Sequence, residues 1–311
     1  MVRRVVAWLA AVVIGVLAVP FGAGAADEGS YPVNYDFLLG AVAAGYPFNA
    51  SPPGANIWTC RPTPAHPRPV VLVHGTFGNK NTNWRAYAPL LANHGYCVYS
   101  LTYGVRPGTP PIVDQLGGVT DMASSAQQLK AFVARVLRAS GASQVDIIGH
   151  SQGTVLPEYY AKFLGGAKYI HNYISLAPLW HGTNVSGGLE QFAQVFGVPE
   201  DQVPICTSCV QMTTGSHFMQ RLRAGGVVLP GIKYTNIVTR HDELVRPYTS
   251  GIQRGMRNLV VQDFCSQDYT EHFEIAADPI GAAIVLNVLD PVHRHSVPCM
   301  LVLPFVGPPG G

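Results

Sequence analysis

The segment Gly149-His150-Ser151-Gln152-Gly153 sets one hydroxyl between two glycines, directly after the apolar run Val145-Asp146-Ile147-Ile148. Thr154 to Tyr160 behind it reads as the start of a helix, so this G-x-S-x-G lies in the strand–turn–helix context of a nucleophile elbow. A side chain at 149 or 153 would collide with the neighbouring strand or helix. Glycine removes the collision and lets Ser151 take a strained backbone with its hydroxyl exposed. The chemistry this suggests is attack of the hydroxyl on a carbonyl carbon. The pattern alone is common, so its meaning depends on what accompanies it.

A serine hydroxyl near neutral pH needs a base within hydrogen-bond reach, and the base needs an orienting carboxylate. In chains with this elbow, the acid and then the histidine follow the serine in sequence. Asp242 lies just past the strand-like stretch Tyr234 to Val238 and meets the first demand. Glu243 is its nearest rival, and either carboxylate could instead cap a turn. Of 11 histidines, only His272, His293 and His295 follow Asp242. His272 falls after the last expected strand and before the last expected helix, where the base belongs. His293 and His295 sit in a charged loop and are expected to face solvent. Asp263 and Asp268 are close to His272 in sequence but off the strand-end position. A developing oxyanion needs preorganised donors. The backbone N–H of Gln152 is one, and the N–H of Thr76 in Val73-His74-Gly75-Thr76-Phe77-Gly78 is the other. The Thr76 hydroxyl is a candidate third donor, and His74 is expected to brace the loop.

These residues need a scaffold that brings distant strand ends together. From residue 68 onward, strand-like and helix-like stretches alternate, which indicates a mostly parallel sheet with helices on both faces. Strands are expected at 70–73, 96–100, 145–148, 169–176, 234–238 and 258–261, and helices at 83–94, 120–139 and 279–289. In the second helix Leu129, Phe132, Val133, Val136 and Leu137 recur at i, i+3, i+4 spacing. Residues 103–118, rich in Gly and Pro, are expected to form a surface loop. Residues 177–231 separate two strands by far more than an ordinary connection. With Trp180, Phe192, Phe196, Phe218, Met219 and Leu222, this insertion reads as a helical cap or lid over the site, or as a cap that only completes the core. The segments 27–58 and 301–311 carry little chemical signal.

Residues 1–26 read as a secretory signal: Arg3 and Arg4, an apolar stretch from Val5 to Val19, and Ala23-Gly24-Ala25 as cleavage site. The expected mature chain, 27–311, is then a single domain in an extracellular setting, with no stable membrane span. The whole chain has 20 basic and 18 acidic residues, so removal of Arg3 and Arg4 leaves 18 against 18. A chain this neutral has no basic stripe to follow phosphates, which argues against nucleic acid as partner. Charged residues make up only 12% of the chain, which suits a large core with an apolar surface patch. Six cysteines, Cys60, Cys97, Cys206, Cys209, Cys265 and Cys299, point to disulfides. No second C-x-x-C and no H-E-x-x-H accompany Cys206 and Cys209, so a local disulfide is favoured over zinc, and no metal or cofactor is expected.

The HGTFG segment at 74–78, the elbow, Asp242 and His272 together resemble the secreted triacylglycerol lipases and esterases of actinobacteria, in the α/β-hydrolase superfamily. A more distant likeness is to yeast lipase B, through the G-T oxyanion segment and the G-x-S-Q-G elbow. The disulfide layout of that relative implies Cys60–Cys97, Cys206–Cys209 and Cys265–Cys299. The resemblance implies a carboxylic ester hydrolase acting through an acyl-enzyme, on lipid or another ester, at an oil–water interface where the substrate is insoluble. A short-chain carboxylesterase or polyesterase, an extracellular acyltransferase and a non-enzymatic binding protein on the same scaffold are the competing readings.

Overall fold

Four consecutive β-branched or leucine residues form the strand β1, Val70–Val73, and all four are buried because the sheet is covered on both faces. The computed structural model describes residues 30–44, 49–110, 113–183 and 206–310. The expected leader at 1–26 lies outside the described residues, as do Phe192 and Phe196 of the insertion. Residues from Tyr31 onward form one compact unit.

After a short helix α1 (Phe37–Ala43), the chain runs through β1, α2 (Tyr87–Asn93), β2 (Val98–Leu101), α3 (Met122–Ser140) and β3 (Val145–His150). There follow α4 (Leu156–Phe163), β4 (Ile170–Leu176), α5 (Thr207–Gln211), α6 (His217–Arg223) and β5 (Lys233–Val238). The unit closes with β6 (Arg257–Val260), α7 (Val261–Phe264) and α8 (Pro279–Leu289). The six strands lie in the order β2-β1-β3-β4-β5-β6, and every pairing is parallel. The two-residue period of a strand divides β1 between two cores. Val71 and Val73 pack with α3, α4 and the insertion residues Met212, Met219 and Leu222. Val70 and Leu72 pack with Tyr87, Leu90 and Leu91 of α2 and with α8. Helix starts follow their caps: Asp121 accepts the Ser124 N–H ahead of α3, and Asp278 accepts the Ile280 and Gly281 N–H groups ahead of α8.

Two sequence expectations change. Residues 103–118 do not form a surface loop along their whole length. Tyr103, Gly117 and Gly118 are buried, and Phe77 N–H donates to Gly117 O while Gly117 N–H donates to Gly78 O, both at 2.9 Å. Small residues are needed there for a different reason from loop flexibility: a Cβ on Gly117 would lie 2.7 Å from Gly78 O. In the insertion, Trp180 is fully buried and donates from Nε1 to Asn236 Oδ1 at 2.9 Å, so it belongs to the core. Disulfides join Cys60 to Cys97, Cys206 to Cys209 and Cys265 to Cys299. Among the described residues, no helix is long and apolar enough to cross a membrane.

Lys162 of α4 ties the insertion to the elbow side of the sheet. Its Nζ donates to the carbonyls of Leu222, Ala224 and Gly226 at 2.7, 2.6 and 2.6 Å, which satisfies the open C-terminal end of α6. Lys162→Met leaves those carbonyls to solvent and is expected to cost about 1–3 kcal/mol. A urea titration that gives the same midpoint for both proteins would refute this anchoring.

Candidate active site

β3 delivers Ser151 at its C-terminal end with φ +53°, a left-handed conformation that costs a non-glycine residue on the order of 1–3 kcal/mol. The flanking glycines make that geometry possible. A Cβ on Gly149 would lie 2.0 Å from Gly153 O, and a Cβ on Gly153 would lie 2.0 Å from Val73 O. Neither gap admits a methyl group.

The sheet order sets what faces this serine. Asp242 follows β5 and His272 follows β6 and α7, both on the same edge as the end of β3. His272 Nε2 lies 2.8 Å from Ser151 Oγ, and its Nδ1 lies 3.0 Å from each carboxylate oxygen of Asp242. Asp242 Oδ1 also accepts the N–H groups of Leu244 and Val245 at 3.0 and 2.7 Å, which fixes the carboxylate on its turn. Burial alone would lower the His272 pKa, but Asp242 first and then Glu243 and Glu271 outweigh it and raise the group to about 9. Glu243 does not reach the ring: its Oε2 accepts the backbone N–H of His272 at 3.1 Å. His293 is exposed and pairs with Asp290 at 2.9 Å, while His295 N–H donates to Asn287 at 2.7 Å. Neither contacts Ser151.

The loop after β1 faces the serine from the other side. A Cβ on Gly75 would lie 3.1 Å from Ser151 Cβ, so this backbone passes close to the nucleophile candidate. The Gly75 N–H donates to Asn83 Oδ1 at 3.1 Å. His74 is buried, held neutral with a pKa near 4 by desolvation, and stacked on Tyr103 with ring centroids 4.2 Å apart. Tyr103 also donates its hydroxyl to His74 O at 2.6 Å, so His74 braces the loop. The Thr76 hydroxyl donates to Gln152 Oε1 at 2.8 Å. Having one proton, it has none left for a third oxyanion contact in this arrangement.

Above Ser151 lies a cavity of about 400 Å³ with a largely apolar wall. Leu179, Thr183, Cys209 and Met212 from the insertion form part of that wall. Phe37, Ala41 and Val42 of α1 form another part, which the sequence reading of 27–58 missed. The available signal was a seven-residue uncharged run, FLLGAVA, with no strand to pair with. Behind His272 lies a group of buried acids. Burial raises Asp268 to about 6, Glu271 to about 8 and Glu274 to about 10. Among the described residues, no group of three or more His, Cys, Asp or Glu is placed to hold a metal ion.

Comparison with known proteins matches residues 67–283 to the family described as Lipase (class 2), well over half of the chain. The chain belongs to the class 2 lipase family. A triacylglycerol lipase of Burkholderia plantarii is 34% identical over 128 residues, covering 39% of this chain and 32% of that protein. One from Pseudarthrobacter phenanthrenivorans is 34% identical over 100 residues, covering 30% and 28% respectively. The aligned segments thus span less than a third of the curated relatives' length. Among solved structures, Aspergillus fumigatus lipase B is similar with TM-score 0.57 at 18% identity, over 81% of this chain and 62% of that one. The mature form of Bacillus licheniformis lipase BlEst2 gives 0.54 at 17% identity, over 75% and 94%. The family member therefore has the α/β-hydrolase fold.

Two outcomes follow from this geometry. Gly153→Ala is expected to abolish soluble folded protein, because the clash is with backbone and has nowhere to relax; a normal thermal melt would contradict it. The rate at which a fluorophosphonate labels Ser151 should rise with pH through a midpoint above 6.5 and toward 9, as His272 loses its proton. The sign for stability is opposite. The raised His272 value means that the charged pair with Asp242 contributes fully below 6.5 and is lost as pH passes through about 9. A labelling midpoint below 6.5 would contradict both.

Proposed function

We propose that this chain is a secreted serine ester hydrolase, a triacylglycerol lipase that works through an acyl-enzyme. The observation that carries the reading is the continuous contact from Asp242 through His272 to Ser151 at the floor of an apolar cavity. His272 takes the Ser151 proton as Oγ attacks the ester carbonyl, and Asp242 keeps the imidazole proton on Nδ1. The backbone N–H groups of Thr76 and Gln152 receive the oxyanion; neither is engaged in a hydrogen bond with another protein group among the described residues. His272 then protonates the departing alcohol and activates the water that releases the acid.

The apolar wall formed by Phe37, Leu179, Met212 and Leu244 suits an acyl chain better than a polar acid, which favours a lipase over a short-chain esterase. The insertion at 177–231 acts as the cap of this site in the same reading. The leader-like residues 1–26 and three disulfides support an extracellular location.

Hydrolysis of p-nitrophenyl esters of increasing acyl length tests the proposal. Wild type should release a burst stoichiometric with enzyme and prefer medium or long chains, and Ser151→Ala should lose at least about 10³-fold in kcat. Full turnover in Ser151→Ala would overturn the mechanism, and a steady fall in rate beyond the shortest esters would replace the lipase with an esterase.

A further inference from the structure

The residues next to two members of the proposed triad have side chains that reach the backbone of His272. His150 immediately precedes Ser151, and Glu243 immediately follows Asp242. His150 Nε2 lies 2.7 Å from the carbonyl oxygen of His272, and Glu243 Oε2 accepts the N–H of the same residue at 3.1 Å. Both oxygens beside the ring are acceptors, the His272 carbonyl and, 3.0 Å from Nδ1, the Asn83 Oδ1 that already accepts the Gly75 N–H. The shorter contact assigns the single proton of the neutral ring to Nε2. Both side chains are fixed in place. His150 is buried at the end of β3, and Glu243 sits on the turn that holds Asp242.

We propose that His150 and Glu243 are positioning residues that grip the backbone of His272 at its carbonyl and its N–H, referencing the base to both the nucleophile strand and the acid loop. This rests on the hydrolase reading above. A histidine on a loop has no ladder hydrogen bonds of its own to hold it. Here the two ends of its backbone are held by the elements that carry its two partners. A shift of either strand end therefore moves the imidazole with it, and the contacts at Nδ1 and Nε2 keep their geometry. Desolvation first, and then the facing imidazoles of His272 and His74, hold His150 neutral with a pKa near 3, so its donor persists at any pH at which His272 works.

The groups that face His272 are Asp242 and Glu243 from the loop after β5, Glu271 before it in sequence, and His150 from β3. Glu243 therefore has two separable effects, a hydrogen bond and a charge. Glu243→Gln keeps an oxygen for the His272 N–H but removes the charge, whereas Glu243→Ala removes both. At His150, Gln keeps an N–H donor and Leu does not.

The experiment measures fluorophosphonate labelling and ester hydrolysis across pH for these four single variants and for His150→Leu/Glu243→Ala, each normalised to folded protein. Both Glu243 variants should move the acid limb to lower pH. At the high-pH plateau, Glu243→Ala and His150→Leu should each lose about 10- to 100-fold in kcat with little change in KM. The Gln variants should recover most of that loss. The double variant should lose less than the product of the singles, because both contacts hold one residue. Plateau rates in Glu243→Ala and His150→Leu equal to wild type would overturn the clamp, as would Gln variants as slow as their partners or losses that simply multiply. Wild-type protein inert to both probe and ester would instead overturn the hydrolase reading, and the clamp with it.

Discussion

The 2.8 Å contact between Ser151 Oγ and His272 Nε2 joins residues 121 apart in sequence, and much of the unit can be understood as what holds it. Its tolerance is a few tenths of an ångström, because a hydrogen bond weakens steeply outside its distance and angle window. A parallel sheet suits this demand. All its strands end on one edge, and adjacent strands are fixed in register, so groups at the ends of β3, β5 and β6 converge without long-range flexibility. The elbow adds strain at Ser151, and the packing of β3 against β1 and β4 maintains it.

The terminal segments serve the same contact from behind. The Phe37 N–H donates to Glu274 at 3.1 Å, the Phe305 N–H to Glu271 at 3.2 Å, and the Leu38 N–H to Phe305 O at 3.1 Å. α1 and the C-terminal segment thus close over the buried acids that follow His272. Burial raises the pKa values of Glu271 and Glu274, and their carboxyl oxygens accept backbone donors behind His272. The Cys265–Cys299 disulfide links the start of the His272 loop to the C-terminal segment. A chain with so few charged residues has placed several of them where they shape the site.

The cavity wall comes from three separate parts of the chain: α1, the loop that carries Leu116, and the insertion. The second of these parts also meets the loop after β1, where Phe77 and Gly78 exchange hydrogen bonds with Gly117. The cavity wall and the backbone beside Ser151 are therefore shaped together. Changes in the Gly117-Gly118 segment would be felt in both.

The order of the candidate site residues along the chain was legible in sequence because each signal is local. G-x-S-x-G encodes a tight turn, Val70–Val73 a strand buried on both faces, Pro279–Leu289 a capped apolar helix, and the positions of Asp242 and His272 follow from strand ends. What could not be read was everything that depends on which residues meet across space. Periodicity does not show that α1 lines the cavity, that Gly117 packs on the loop after β1, or that the Thr76 hydroxyl is spent on Gln152. Nor does it show that Glu243, a rival for the acid by position, turns to the backbone of His272 while Asp242 takes the ring. Sequence determined which groups stand at the strand ends, since a strand's period and a turn's sterics are properties of a few residues. Only the tertiary structure decided which of two adjacent carboxylates faces the imidazole, because that depends on the twist and register of strands far apart in the chain.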